Sequence, residues 1–254
     1  MTDVGIGGAA FAGCSMEVLG FPASSDAARE RIFVVFPGIR AKMRSAMFRA
    51  FFLIFKPLHA WERIYQAQRG ILFIFFVHLI PLLVLVSAAE GFGLVHFGKW
   101  RGAIPRLQQF PVGEAVIFEA AQVLIGIVLV LTGTLLVKAL GETFHGRHTC
   151  TQAFTVVAFG LSPLFLLRLL DTFSGISPWV SWAVGILFSA SVLYHGVPRI
   201  MDPDPPHAFG LFLMTTILLT LTSGLARLMT TFYLQGKFPQ MEAWVASIAA
   251  RLPL

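Results

Sequence analysis

Apolar residues gather into five long runs separated by short polar connections, at roughly 71–93, 115–138, 151–171, 178–197 and 208–234. A helix needs about 20 residues to cross a hydrocarbon layer about 30 Å thick, and each run is of that order. The pattern predicts an all-α integral membrane bundle of about five transmembrane helices. Pro81 in the first run and Pro163 in the third are expected to kink their helices, because proline removes a backbone donor and crowds the preceding turn. An odd number of crossings puts the two termini on opposite sides.

The flanks follow a different pattern. In FFLIFKPLHAWERIYQAQRG, residues 51–70, Pro57 suits the first turn of a helix that carries Leu58, Trp61, Ile64 and Tyr65 on one face and Glu62, Arg63 and Arg69 elsewhere. A tryptophan-bearing apolar side beside cations predicts an interfacial amphipathic helix, lying in the membrane plane ahead of the first span. MEAWVASIAARL, near the C-terminus, is expected to form a last interfacial helix. Residues 1–42 are Gly- and Ala-rich without periodicity, and their basic residues follow the apolar ones, unlike a signal peptide. The expected organisation is a poorly structured extension over 1–42, with translation beginning at Met43 or Met47, then a cytoplasmic or interfacial amphipathic segment over 43–70. A five-span membrane domain over 71–234 and a short interfacial tail over 235–254 follow.

Composition agrees with a membrane protein: 56% hydrophobic residues, 13% charged residues and 25 Phe exceed what a soluble core of 254 residues can bury. The net charge of +6 comes from cations beside the spans and not from a polar, aromatic-studded surface, so no nucleic-acid partner is expected and lipid headgroups are. Counted near the span ends, Lys42, Arg44, Arg49, Lys56, Arg63, Arg69, Lys138, Arg147 and Arg199 stand on one side. Lys99, Arg101, Arg106, Lys237 and Arg251 stand on the other. Nine against five predicts a cytoplasmic N-terminus and an external C-terminus. Cys14 and Cys150 form neither a CxxC pair nor a framework spacing, and Cys150 is expected to stay outside any disulfide.

In that topology Glu90, Glu119, Arg168, Asp171 and Arg227 share one depth near the outer ends of the spans. Ionised groups there are costly unless paired or hydrated, so Arg168 and Arg227 are expected to face Glu90, Glu119 or Asp171 across helix interfaces, with snorkelling to the headgroups as the alternative. Arg168 and Asp171 also have the i, i+3 spacing that permits contact within one helix. Ser181, Gly185 and Ser189 form a small-residue stripe suited to close packing inside the bundle.

Catalytic signatures are sparse. His145 and His148 have no carboxylate between them, and Ser162 and Ser223 sit in spans without the glycine pattern of an intramembrane protease. No enzyme, metal or cofactor is expected. The proline-interrupted spans keep a small transporter or channel subunit as the alternative function.

FKPLHAWERI at 55–64, LYHGVPRIMDPDP at 193–205 and FGLSP at 159–163 together resemble the Yip-domain family, over roughly residues 48–235. The family comprises five-span membrane proteins, and its bacterial-type branch has a similar proline, Trp and Ile before the first span and a Tyr, Gly, Pro, Met, Pro series after the fourth. The resemblance implies a membrane bundle with a cytoplasmic N-terminus, here in a bacterial inner membrane. Eukaryotic members are associated with Rab GTPases and vesicle traffic, but their Asp-Leu-Tyr-Gly-Pro motif does not occur in this chain. Both longer motif segments fall on the cytoplasmic side, so Pro57, Trp61, Ile64, Tyr194, Gly196, Pro198, Met201 and Pro203 are expected to assemble one partner surface. Trp61 and Tyr194 would anchor it at the interface, and Gly196 and the prolines would shape an unhelical connection. The expected function is a non-enzymatic scaffold or organiser that binds lipid, another membrane protein or a second copy of itself through that face.

Overall fold

A computed structural model describes residues 57–101, 106–143, 149–204 and 206–249. The expected N-terminal extension, residues 43–56 of the amphipathic segment, and His145, Arg147 and His148 lie outside them. Helix α1, Pro57–Ala67, stops where Gln68 turns to a positive φ of 36°. Five helices long and apolar enough to cross a membrane follow: α2 Ile71–His96, α3 Val112–Thr143, α4 Cys150–Thr172, α5 Pro178–Met201 and α6 Ala208–Leu234. Helix α7, Pro239–Ala249, closes the described chain.

Each proline leaves a local mark. In α2 the segment Phe75–Leu79 is π-helical and stands directly before Pro81, whose missing N–H would otherwise break an α-helical turn. In α4 the helix breaks after Cys150–Gly160 and restarts as Ser162–Leu167 with Pro163 in its first turn, then tightens to a 3-10 turn over Arg168–Thr172. Thr149 opens α4 with a reciprocal capping box to Gln152. Pro198 sits inside α5, which continues to Met201 and ends at left-handed Asp202, φ 41°. This corrects the expected unhelical connection: proline in a last turn frees a single carbonyl, so Gly196 and Pro198 stay helical and the turn begins at Asp202.

Between α2 and α3 the chain makes a two-stranded antiparallel hairpin, β1 Lys99–Arg101 against β2 Arg106–Gln108, with Trp100 opposite Leu107. Gly98, at φ 71°, makes the turn into it and packs too close to the Gln108 carbonyl for any side chain. Helix α4 is the centre of the bundle, 72% buried over its most apolar window against 22–44% for the other four spans. It packs on α2, α3 and α5, while α6 lies between α3 and α5. Outward positions such as Leu124, Leu187, Phe209 and Leu221 form an apolar surface that suits acyl chains. Helix α1 packs on α5 at one end of the bundle, and α7 packs on α3 at the hairpin end. Cys150 is buried and disulfide-bonded, which corrects the expectation for its thiol; the other cysteine of the chain, Cys14, lies outside the described residues.

Candidate functional site

At the α1 end, a tryptophan does the joining. The Trp61 side chain is fully buried, its indole Nε1 donates to the Val192 carbonyl of α5 at 3.0 Å, and its ring meets Phe159 edge-on with centroids 6.3 Å apart. The ring lies so close to Gly196 that a Cβ there would stand 2.3 Å from Trp61 Cζ2, so the contact requires glycine. Beside it, Arg199 on α5 pairs with Glu62 on α1. That hydrogen bond, followed by one donated from Gln66 Nε2 at 3.0 Å, holds the Glu62 carboxyl below the usual carboxylate range.

These contacts divide the eight residues expected to form one partner surface. Trp61, Gly196 and Met201 are interior, and Ile64, Pro198 and Pro203 are half-buried. Tyr194 is exposed on another side of α5, edge-on to Phe212 of α6 at 5.3 Å. Pro57 opens α1. The interfacial anchor assigned to Trp61 is therefore corrected: its indole N–H finds a carbonyl in the bundle, which is worth more than a shared place at the lipid boundary. Leu58 and Tyr65, expected on the same face as Trp61, remain exposed.

Between α1 and the adjoining ends of α2, α4 and α5 lies a cleft of about 950 Å³. Its lining joins His59, Arg63 and Arg69 with Ile74, Phe159 and Ile200. Thr149 and Gln152, the cap of α4, face it as well. The sequence pattern concealed this cleft, because its walls come from four separated segments.

At the hairpin end, the buried ionisable groups form two clusters. Glu90 of α2 takes Lys99 Nζ at 2.7 Å and Arg168 Nη2 at 2.6 Å. The same Arg168 nitrogen lies 3.7 Å from Glu119 of α3, whose carboxylate oxygens have no hydrogen-bond partner. Asp171 pairs with Arg227 of α6 and accepts from the Ser181 hydroxyl, while Arg227 also donates to the Pro178 carbonyl at 2.8 Å. Asp171 makes its ion pair across helices and not with Arg168, three residues before it on the same helix. By sequence Lys99 is a loop cation and Ser181 a packing serine, yet both join these clusters. The turn at Gly98 and the start of α5 bring them in. Gly185 of the small-residue stripe meets Leu164 of α4, and Ser181 and Ser189 are buried, so the stripe faces inward.

The two helix interruptions also meet. Ser162 Oγ lies 2.8 Å from His78 Nε2 and donates to the Ala158 carbonyl at 2.9 Å. The direction of the Ser162–His78 hydrogen bond follows the tautomer of His78, and the pair ties the two interrupted helices together in the interior of the bundle. His78 stacks on Phe159 at 4.2 Å, and both members of the pair are buried.

Among known proteins, the family described as the Yip1 domain matches residues 51–228, more than half of the chain. No curated protein and no solved structure matches it.

Proposed function

The chain belongs to the Yip1 domain family, and on that premise we propose a non-enzymatic membrane organiser that holds lipid or another membrane protein at the face carrying α1. In this reading the protein spans a bacterial inner membrane with that face in the cytoplasm and α7 outside. The observation that carries it is the attachment of α1: Trp61, seated on Gly196, and Glu62, paired with Arg199, fix an amphipathic helix over a 950 Å³ cleft. A fixed, half-apolar, half-cationic surface at the membrane boundary is what retention of an amphiphile or a neighbouring helix needs. The two helix interruptions lean the same way, since His78 and Ser162 are buried and His78 stacks on Phe159.

Photo-crosslinking in native membranes tests the proposal, with a reactive residue at exposed Leu58 or Tyr65 of α1 and, as control, at lipid-facing Leu221. A discrete adduct, to lipid or to one protein, at Leu58 or Tyr65 and absent at Leu221 is expected. Equal, diffuse labelling at all three, together with solute flux in liposomes that depends on Pro81 or Pro163, would replace it with transport.

A further inference from the structure

The hairpin between α2 and α3 has its charged face turned in and its apolar face turned out, the reverse of a sheet folded in water. Strand side chains alternate between faces, so Lys99 and Arg101 share one, while Trp100, with Leu107 directly opposite it, holds the other. Lys99 is buried on Glu90, and Arg101 pairs with Glu114 at 3.0 Å. Trp100 and Leu107 point outward, and the Trp100 indole donates to the Ser174 carbonyl in the α4–α5 turn at 3.2 Å. Beside Ser174, the Phe173 ring meets Phe97, at the end of α2, with centroids 6.3 Å apart. Phe97, Trp100, Leu107 and Phe173 thus form one patch, and each is 48% to 55% exposed. We propose that this patch is a lipid-docking surface, immersed at the headgroup–acyl boundary of the leaflet at the hairpin end. It stands at the opposite end of the bundle from α1 and does not depend on the organiser reading.

Two opposing constraints fix that depth. A two-stranded hairpin is at best marginally stable in water, and here the strands are three residues long with their apolar side chains left uncovered. Hydrocarbon is excluded as well, because the outer edges of a two-stranded sheet present backbone N–H and C=O groups that a bilayer core cannot satisfy. The interfacial layer meets both requirements, with an apolar side for the patch and polar partners for the strand edges. Chain geometry places the hairpin in that layer. At 26 residues α2 is about 39 Å long, against about 30 Å for the hydrocarbon core and roughly 40–45 Å with the headgroup layers. The chain then folds back beside the helix: the Phe110 N–H donates to the Leu94 carbonyl at 3.2 Å, and Lys99 reaches Glu90. Phe92, exposed on the same span, stands about 8 Å before Phe97 along the axis, so the patch continues the lipid-facing surface of α2. Its size selects lipid over a second copy or another protein, since four side chains fall far short of the roughly 20–30 residues a side of a stable protein interface.

The test is fluorescence quenching in the full chain, reconstituted in phosphatidylcholine vesicles whose acyl chains carry bromine either near the carbonyl end or near the chain end. Acrylamide probes from the water. The Trp100 signal is read as wild type minus Trp100→Phe, because the other four of the five tryptophans contribute to both. It should be quenched at least about twofold more by shallow bromines than by deep ones, and less by acrylamide than free tryptophan is. A second reading leaves Trp100 in place: Leu107→Trp minus wild type, at an exposed position, should give the same order. Quenching by acrylamide as complete as for free tryptophan, without a bromolipid effect, would put the hairpin in water. Stronger quenching by the deep bromines would put it in the hydrocarbon core, and protection from all three quenchers would mean that protein covers the patch. Each of these three results would overturn the proposal.

Discussion

Arg168 serves two carboxylates, which makes its removal the most informative single perturbation of the bundle. In Arg168→Met the Glu90 carboxylate loses its 2.6 Å bond from Arg168 but keeps Lys99 at 2.7 Å, while Glu119 loses the cation 3.7 Å away. Breaking a buried pair by removing one partner costs about 3–5 kcal/mol, because an uncompensated charge remains in a poor solvent for it. Glu90 retains a cation and Glu119 does not, so Glu119→Gln added to Arg168→Met should recover part of the loss, a coupling of about 1–3 kcal/mol. Alone, Glu119→Gln should cost little, since no hydrogen bond is lost with the charge. The assay is reversible unfolding in mixed micelles by dodecyl sulfate titration, followed by circular dichroism, for the four members of the cycle. An Arg168→Met protein within about 0.5 kcal/mol of wild type, or strict additivity in the cycle, would mean that the arginine reaches headgroups instead and that the buried cluster is not a stabilising unit.

Two further outcomes follow from the α1 end. Gly196→Val should destabilise the protein by at least about 1–3 kcal/mol, because its Cβ would stand 2.3 Å from Trp61 Cζ2. Adding Trp61→Leu should relieve part of that loss, and a Gly196→Val protein as stable as wild type in the same titration would show that the ring is not held there. Glu62 should titrate below the usual carboxylate range in wild type and return towards it in Arg199→Gln, as read by carboxyl carbon NMR in micelles. Because its folded value is the lower one, the pair stabilises above the unfolded value of about 4.3 and the benefit disappears as pH falls through the folded value. Identical titration in the two proteins would remove the pairing.

The spans were legible because length and apolarity alone decide which segments can cross a bilayer, and the structure has helices over all five runs. Their ends were less so. Helix α3 runs past both expected limits, since Glu114 and Lys138 are sound helix formers whether or not they lie in hydrocarbon. Helix α5 absorbs Gly196 and Pro198, residues that read as a turn when taken one at a time. The hairpin escaped detection because two three-residue strands carry too little alternation to register. Trp61 was misplaced for a deeper reason: a tryptophan beside cations has the signature of an interfacial anchor, and its partner, the Val192 carbonyl, is 131 residues away in the chain. Lys99 illustrates the same limit, as a cation in an exposed-looking connection that a glycine turn folds back onto Glu90.

Reporter-fusion topology tests the central claim most directly, with alkaline phosphatase or a fluorescent protein placed in each connection and after α7. Five crossings with the α3–α4 and α5–α6 connections in the cytoplasm, and the hairpin and the end of α7 outside, would put α1 and its cleft on the cytoplasmic face. An even number of crossings, or a cytoplasmic position for the residues after α7, would contradict the five-span arrangement and the cytoplasmic organiser built on it.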